Sequence, residues 1–586
     1  MAKKKPGRER RPARRRRPLI RPAHIPMQSK LSPVAGFLLS ALLYCGVTAV
    51  FFHYNLPTLT TELIGPPEDN MQDLWNTWYS QQLSSLRVAD WFFTNRIFYP
   101  EGTSLLYHSF AYSDLAIMRL VRFLFGLPLT IPVLIALNNI TLLASFIFAG
   151  LAMYIVTYHF TRNFAAAWLG GFIFAFSPFH FAHSLHHMHV ATIQFIPLFV
   201  FCVLRLEETK KSVYGIGAVI FCLLSALSSW YFLAYNFLFM LFHYLYRALQ
   251  NKKVFIRPLL LQCSAVAGFT LLFLSPLILA MLKAGSHNPG VYESGHDITV
   301  ADLAALFVPH PYHLAARWFV GFHDRFTGNP WEMSVYLGIF NVILIVWAML
   351  RIQYRSQDFF RWTICGMVWF TLIAGGRYLH ILGTSMKPFI LPTAIFEYVP
   401  VLANLRTPSR AIVYAYFFLG LFVAWFFASL LRADNREAQL RWWPRVPIAI
   451  VIFLGIIVDY LSFNRESTSV SCPPAYSVLA NTPASAGILN LPMSYEVGNR
   501  FMMYQLCLDR PIVYASISRK LNTTLSDRLY SLNMAETKET LKRAGVRYIV
   551  VYLPLLTRTQ SLGLSTFAKN FPLLFQDQTE VVFSAE

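Results

Sequence analysis

The sequence predicts an α-helical protein that crosses a membrane many times and carries a smaller α/β domain at its C-terminal end. Of its 586 residues, 55% are hydrophobic and 13% are charged, whereas soluble domains average about 25% charged residues. Long apolar segments recur between residues 34 and 464, and short basic clusters separate many of them. Residues 465–586 are more polar. This composition excludes both an ordinary soluble enzyme and a disordered chain.

The apolar segments set the predicted topology, because a helix needs about 20 apolar residues to cross a bilayer. Lys and Arg clusters mark the cytoplasmic connectors, and sides then alternate consistently for about eleven crossings, with the N-terminus cytoplasmic and the C-terminus outside. The segment 109–126 contains three charged residues, so we expect an interfacial helix there. The predicted spans lie at residues 34–54, 131–158, 164–180, 189–206, 213–229, 231–247, 256–282, 333–350, 361–376, 410–432 and 445–464.

This topology divides the chain into three parts. Residues 1–33 form a basic cytoplasmic tail, with 12 Lys and Arg in the first 30 residues; such a run is typical of a membrane anchor, and we expect no nucleic-acid partner. Residues 34–464 form the transmembrane domain. Its longer outer loops are predicted at 55–130, 283–332 and 377–409.

The third part, residues 465–586, is predicted to be an extracytoplasmic α/β domain. Strand-like runs at 487–491 and 546–551 enclose a helical stretch. Cys472 and Cys507 both lie in this part, where a disulfide is neither required nor excluded by the sequence.

Two adjacent acidic residues lie in the first predicted outer loop. Pro66 and Pro67 can begin a helix, and Glu68 and Asp69 then fall in its first turn, with Asp73 one turn later. Acids in a first turn can simply complement the helix dipole. On an outer face, however, a carboxylate can also serve as a general base or a metal ligand.

A phosphate site is predicted before the span at 410–432. Thr407 followed by Pro408 favours a capped helix start, and Arg406 and Arg410 flank it. A helix N-terminus with guanidinium groups can bind a phosphate, although Arg at a membrane boundary can also reach towards lipid headgroups. Arg377 is a third, weaker candidate.

Five histidines fall between residues 180 and 189. In a continuous helix, His180, His183 and His187 share one face, and this spacing can bind a metal or a phosphate. The alternative is that the imidazoles satisfy nearby carbonyl groups. We expect the three, together with Asp73, to line the active site, and His183 and His187 are the candidate metal ligands.

The order of these motifs resembles the membrane-embedded glycosyltransferases of the GT-C fold, in particular poorly characterised bacterial members, some described as YfhO-like. The resemblance is carried by the acidic pair at 68–69, the YPEG turn at 99–102, the histidine-rich stretch at 177–189, LRTPSR at 405–410 and GVRYIVVY at 545–552. It implies a polyprenyl-phosphate-linked sugar donor and a first-loop catalytic carboxylate, Asp69 first and Glu68 second. It also implies location in the plasma membrane, the inner membrane of a bacterium.

The predicted function is therefore an inverting hexosyltransferase that acts on the non-cytoplasmic face, with a lipid, glycan or protein acceptor. No cofactor is implied with certainty. Some proteins of this fold use a divalent metal, but the sequence has no DxD motif. The sequence therefore does not decide whether this protein needs a metal. The alternatives are a transporter or lipid flippase, and a non-catalytic envelope-assembly protein.

Overall fold

A computed structural model gives the architecture of the chain. It describes residues 31–83, 91–250, 256–286, 298–351, 354, 357–399, 402, 405–431, 445–483, 486–531 and 533–586. Residues 1–30 of the predicted tail, and parts of the predicted loops at 55–130, 283–332 and 377–409, lie outside the described residues.

Helices dominate the described chain as far as residue 459. In chain order they are α1 (Pro33–Phe51), α2 (Asp69–Gln82), α3 (Tyr112–Leu124), α4 (Ile131–Thr161), α5 (Phe164–Ala175), α6 (Pro178–His186), α7 (Met188–Ala191), α8 (Phe195–Thr209), α9 (Ser212–Ser228), α10 (Trp230–Gln250), α11 (Ile256–Ser286), α12 (Val320–His323), α13 (Ile339–Leu350), α14 (Asp358–Ala374), α15 (Ile412–Leu430) and α16 (Arg445–Asp459). The strands in this part are β1 (Glu62–Ile64), β2 (Phe93–Thr94), β3 (Thr103–Ser104), β4 (Tyr378–Ile381) and β5 (Thr384–Ile390).

Several of these helices are long and apolar enough to cross a membrane. Five qualify among the described residues, and α5 with α6 adds a sixth if this pair, bent by 42°, is one span. The five are Pro33–Phe51, Ile131–Thr161, Met188–Thr209, Arg257–Ser286 and Pro408–Leu430. The chain is thus a helical membrane protein, as predicted, while the number of eleven crossings stays a prediction. Helix α3 has 13 residues, too few to cross a bilayer of about 30 Å, and its interfacial position stays a prediction.

Helix α15 forms the centre of the bundle, since nearly every one of its residues is buried. It packs closely against α5, where Gly170 and Gly420 meet. A Cβ on either residue would lie within 3 Å of the other's carbonyl oxygen. Small residues allow membrane helices to approach in this way, so this glycine pair permits the close packing of α5 against α15.

The C-terminal part contains a four-stranded sheet in the order β7 (Gly487–Leu491), β8 (Val546–Tyr552), β10 (Glu580–Ser584) and β9 (Leu573–Gln576). Strands β7 and β8 are parallel, while β10 is antiparallel to both of its neighbours. The two predicted strand runs are β7 and the first six residues of β8. The elements are β6 (Ser467–Ser469), α17 (Pro474–Leu479), β7 (Gly487–Leu491), α18 (Tyr495–Tyr504), α19 (Leu525–Leu529), α20 (Met534–Arg543), β8 (Val546–Tyr552), α21 (Arg558–Asn570), β9 (Leu573–Gln576) and β10 (Glu580–Ser584).

The segment that contains α2 and the C-terminal part share a core. Leu74 and Trp75 of α2 belong to the same buried apolar cluster as Phe501 and Met502 of α18. The Trp75 indole N–H donates to the Gln505 side chain over 2.7 Å. Burial of these large side chains, about 1.5–3 kcal/mol each, holds α18 against α2 and so beside the predicted acidic pair.

Candidate functional site

The acidic pair is held at the start of α2 by its flanking strands. β1 pairs antiparallel with β6, and the N–H of Gly65 donates to the carbonyl of Glu466. Gly65 has φ +103°, and a Cβ there would lie 2.4 Å from the carbonyl oxygen of Leu185. Glycine is required on both counts, and its absent side chain lets the start of α2 lie against the end of α6. Asp69 is the first residue of α2, and Glu68 occupies the cap position, so the prolines precede the helix instead of beginning it.

The histidine-rich stretch is divided between two helices. Ser177 caps α6 by accepting from the His180 N–H, and Pro178 follows as its first residue. Helix α6 ends at His186, and α7 begins at Met188, whose N–H donates to Asp73 Oδ2 over 3.1 Å. Asp73 therefore caps α7 and fixes the break at His187, since a carboxylate suits the exposed N–H groups of a helix start.

Two carboxylate–imidazole pairs join α2 to the end of α6. Glu68 Oε2 lies 3.1 Å from His186 Nδ1, and Asp69 Oδ2 lies 3.3 Å from His187 Nε2. On its other side, Asp69 Oδ1 accepts a hydrogen bond of 3.1 Å from the Asn499 amide of α18. The Glu68 and Asp69 side chains are 48% and 39% exposed, so both carboxylates are accessible from the surface of the protein.

The three acids of α2 differ in proton affinity. Burial raises the pKa of Glu68, and the charge of Asp69 raises it further. Burial also acts to raise the pKa of Asp69, but His187, Asn499 and the charge of Arg410 outweigh it and lower that pKa. Burial raises the pKa of Asp73 well above its usual value. Asp69 is thus the one carboxyl group of the three whose pKa is lowered, which favours the ionised form that a general base requires.

A buried acid that the sequence did not identify completes the cluster. Glu332 is 2% exposed in its side chain and accepts from Arg410 Nε at 2.9 Å, Arg410 Nη2 at 2.6 Å and Ser409 Oγ at 2.7 Å. Its Oε2 also lies 3.3 Å from His183 Nε2. Burial acts to raise the pKa of Glu332, but Arg410 and His183 lower it well below its usual value.

These contacts form a continuous polar row. It runs from Asp69 to His187, then to His183, whose ring centroid lies 5.8 Å from that of His187, and on to Glu332 and Arg410. Four of the predicted site residues are therefore brought together: Asp69, His183, His187 and Arg410. Glu332 was missed because its partners lie about 80 or more residues away in the chain, and its neighbours Trp331 and Met333 give no local signal of an ionic role.

Other predicted site residues lie elsewhere or have other partners. His180 is turned away from the row: its ring nitrogens bond the Ala175 carbonyl and Ser145 Oγ. The prediction of one shared face assumes a continuous helix, whereas α6 ends at His186; that His180 lines the active site stays a prediction. Arg377 pairs with Glu397 at 2.8 Å.

The predicted helix start at Thr407 is a single 3-10 turn, Pro408–Ala411, that leads into α15. Thr407 does not cap it; its hydroxyl accepts from Tyr231 instead. Arg410 is buried and paired with Glu332, so its charge is already balanced. Arg406 is exposed and makes no ion pair within the part of the chain that the structure describes.

The row also contains a donor set for a divalent metal. His183, His187 and Glu332 each offer one ligand atom, and these atoms lie within 4.8 Å of one another. His187 Nδ1 is buried without a hydrogen-bond partner among the described residues, and His183 Nε2 faces the Glu332 carboxylate at 3.3 Å. Two imidazoles and one carboxylate suit zinc and similar ions. These residues therefore fit a divalent metal, which the resemblance neither requires nor excludes.

Comparison with solved structures identifies the fold. The oligosaccharyltransferase AglB from Archaeoglobus fulgidus, in complex with an inhibitory peptide and a dolichol-phosphate, superposes with a TM-score of 0.52 at 12% identity, covering 91% of this chain and 71% of AglB. A structure of that oligosaccharyltransferase with zinc and sulfate gives a TM-score of 0.50 at 12% identity, covering 94% and 73%. The arabinofuranosyltransferase AftD from mycobacteria gives 0.58 at 10% identity, covering 95% of this chain and 40% of AftD.

The class of protein follows from these likenesses: the chain has the GT-C fold of integral membrane glycosyltransferases, as the resemblance predicted. Residues 43–457 match a family described as a domain of unknown function, DUF6311. The chain belongs to this family. The narrower resemblance to YfhO-like members stays a prediction. No curated protein matches the sequence.

Proposed function

We propose that the protein transfers a sugar from a polyprenyl-phosphate-linked donor to an acceptor hydroxyl on the non-cytoplasmic side of the membrane, with Asp69 as the general base. The observation that carries this proposal is the Asp69 carboxylate, partly exposed at the start of α2 and held between His187 and Asn499. A carboxylate held ionised and accessible in this way is suited to removing a proton from an acceptor.

The proposed reaction needs one base and a site for phosphate. The acceptor oxygen attacks the anomeric carbon from the face opposite the phosphate, its proton passes to Asp69, and the bond from the anomeric carbon to the phosphate oxygen breaks. The configuration is thereby inverted. Because polyprenyl phosphate leaves as a stable anion, no second carboxylic acid has to protonate it, in contrast to glycoside hydrolysis. Glu68 is the second candidate for the base.

Arg406 is the best-supported partner for the donor phosphate. Arg406 is exposed and lies four residues before Arg410, which is buried and paired with Glu332. Arg410 contributes mainly by fixing Glu332 and His183. Arg377, which pairs with Glu397, remains the weaker candidate of the three. The dolichol-phosphate in the AglB structure supports a donor of this lipid class.

A divalent metal held by His183, His187 and Glu332 is part of the proposal. Such an ion supplies positive charge that stabilises a departing phosphate. The zinc in a structure of the Archaeoglobus enzyme agrees with this. The metal content of the purified protein, measured by inductively coupled plasma mass spectrometry, should be lower in a His183→Ala variant than in the parent protein.

The location is proposed from the charge pattern and the disulfide. Cys472 and Cys507 are joined, and disulfides persist in oxidising compartments outside the cytoplasm. This supports an extracytoplasmic position for residues 465–586 and for the site that they contact. The N-terminus is then cytoplasmic and the membrane is the plasma membrane, which in bacteria is the inner membrane.

The experiment that tests the function is a donor panel. Purified full-length protein is incubated with radiolabelled polyprenyl-phosphate sugars and with lipid, glycan and peptide acceptors, and products are identified by mass. Transfer that is lost in Asp69→Asn supports the proposal. Equal turnover by parent and variant with every donor, or no transfer by the parent, contradicts it.

A further inference from the structure

One side chain of the C-terminal part contacts the proposed base directly. Asn499 lies on α18 and is buried. Its Nδ2 donates to Asp69 Oδ1 over 3.1 Å, while its Oδ1 accepts from Gln72 Nε2 over 3.0 Å. Gln72 also donates to the carbonyl of Ser516 at 2.8 Å. The first turn of α2 is therefore hydrogen-bonded to two segments of the C-terminal part.

The hydrogen-bond network fixes which way the Asn499 amide points. Gln72 presents an N–H to it, and Asp69 presents a carboxylate oxygen, which accepts only. Rotating the amide by 180° would place oxygen against carboxylate and NH2 against NH2, losing both bonds. The Asn499 amide therefore has one favourable orientation, with its donor aimed at Asp69.

The two sides of the Asp69 carboxylate are thus engaged by different parts of the chain. Oδ1 is held by Asn499 from α18, and Oδ2 lies 3.3 Å from His187 at the end of α6. Two partners on opposite oxygens restrict rotation of the carboxylate. A base must be oriented towards the proton that it removes, and small misplacements of reacting groups lower rates strongly.

We propose that Asn499 is a positioning residue for Asp69, and that α18 is consequently part of the catalytic centre. This inference rests on the proposed function and extends it. Residues 465–586 then complete the active site and do more than cover it or bind the acceptor. The sequence-based domain boundary at residue 465 therefore separates α2 from α18, although Asp69 and Asn499 of these two helices belong to one proposed site.

The chain offers a matched control for this proposal. Asn522 also joins the C-terminal part to the segment that contains α2 and β3, since its Oδ1 accepts from Thr103 Oγ1 at 3.1 Å and its Nδ2 donates to the Gly102 carbonyl at 2.9 Å. Neither contact involves Asp69. Removing Asn522 therefore weakens the same interface by two hydrogen bonds while leaving the proposed base untouched.

The test compares full-length Asn499→Ala, Asn499→Asp and Asn522→Ala proteins, each checked for folding by thermal melting. With a polyprenyl-phosphate sugar that the parent uses, Asn499→Ala should lower kcat about tenfold or more, with the donor KM within about twofold. Asn499→Asp keeps the shape but replaces the donor by a second carboxylate, and should lower kcat at least as much. Asn522→Ala should retain a kcat close to that of the parent.

Three results would overturn the inference. One is an equal loss in Asn499→Ala and Asn522→Ala, which would mean that the interface alone matters. Another is a change confined to the donor KM, and a third is full activity of Asn499→Asp. A parent protein without transferase activity would instead refute the proposed function itself, and this inference with it.

Discussion

His187 Nε2 lies 3.3 Å from Asp69 Oδ2, at the point where the histidine-rich stretch breaks between two helices. The break places His187 opposite the first turn of α2, and Asp73 stabilises it by accepting from the next residue's N–H. An accessible carboxylate is thereby joined to a buried row of ionisable groups. The chemistry and the stability of the site therefore depend on different members of one cluster.

Replacing the proposed base should abolish transfer. Asp69→Asn keeps the size of the side chain and removes its ability to accept a proton, so we expect turnover to fall by about 10²–10⁴-fold with normal expression. Initial rates with a saturating donor check this. Glu62→Gln, a neighbouring acid on β1 that accepts from Ser467, is the control and should be close to the parent. A similar rate for parent and Asp69→Asn would remove Asp69 from the mechanism.

The pH dependence should identify which acid of the pair is the base. A base acts only when ionised, so kcat/KM falls as the pH drops below the pKa of that base in the free enzyme. The pKa of Asp69 is lowered from its usual 3.8 and that of Glu68 is raised from 4.5. With Asp69 as base, the midpoint of the decline in kcat/KM should lie below pH 3.8. A decline centred above pH 4.5 would assign the role to Glu68.

The bundle and part of the site were accessible from the sequence because they depend on local pattern. Apolar runs such as 131–158 and 410–432 predict helices from length and hydropathy, and both are helical. Asp69 was found because it is an acid in a first turn, a feature visible within a few residues. The shared face of His180, His183 and His187 is predicted from regular helical spacing, whereas α6 ends at His186 and the His180 ring bonds Ala175 and Ser145.

The rest of the site depends on contacts between distant parts of the chain. Glu332 meets Arg410 across 78 residues, and Asn499 meets Asp69 across 430. Spacing within one sequence carries no information on such pairs. The same holds for Arg410, which was predicted to bind phosphate but is balanced by a buried carboxylate that only the fold brings to it.

Arg406 and Arg410 should therefore behave differently when replaced. Arg406 is exposed and makes no ion pair among the described residues, so Arg406→Ala should raise the donor KM by about tenfold, the equivalent of one charge-assisted hydrogen bond, with little effect on melting. Initial rates over a range of donor concentrations measure this. Lys387→Ala, which removes a positive charge from the outer hairpin of β4 and β5, is the control. An unchanged KM in Arg406→Ala would show that Arg406 does not bind the donor.

The Arg410–Glu332 pair should instead govern stability. Arg410→Met leaves Glu332 buried without its partner, which costs about 3–5 kcal/mol for a buried ion pair, and Arg410→Met with Glu332→Met should recover much of this loss. Because Arg410 and His183 lower the pKa of Glu332 despite its burial, the pair stabilises the parent above the unfolded-state pKa. That stability is lost progressively as the pH falls from the unfolded-state pKa through the lower folded-state pKa. Melting temperatures in detergent between pH 3 and 7 check both expectations, and equal melting of the single and double variants would contradict them.

The proposed side of the membrane can be tested with the chain's own cysteines. Cys507→Ser breaks the disulfide and leaves Cys472, which is exposed, as a free thiol. If residues 465–586 lie outside, a charged, membrane-impermeant maleimide added to intact cells or spheroplasts should label this variant above the level of the parent. The parent protein, whose five free cysteines lie in apolar helices, gives the background. Labelling that requires permeabilised membranes would place the C-terminal part, and with it the Asp69 site, on the cytoplasmic side, and an enzyme that uses donors on the outer face could not work there.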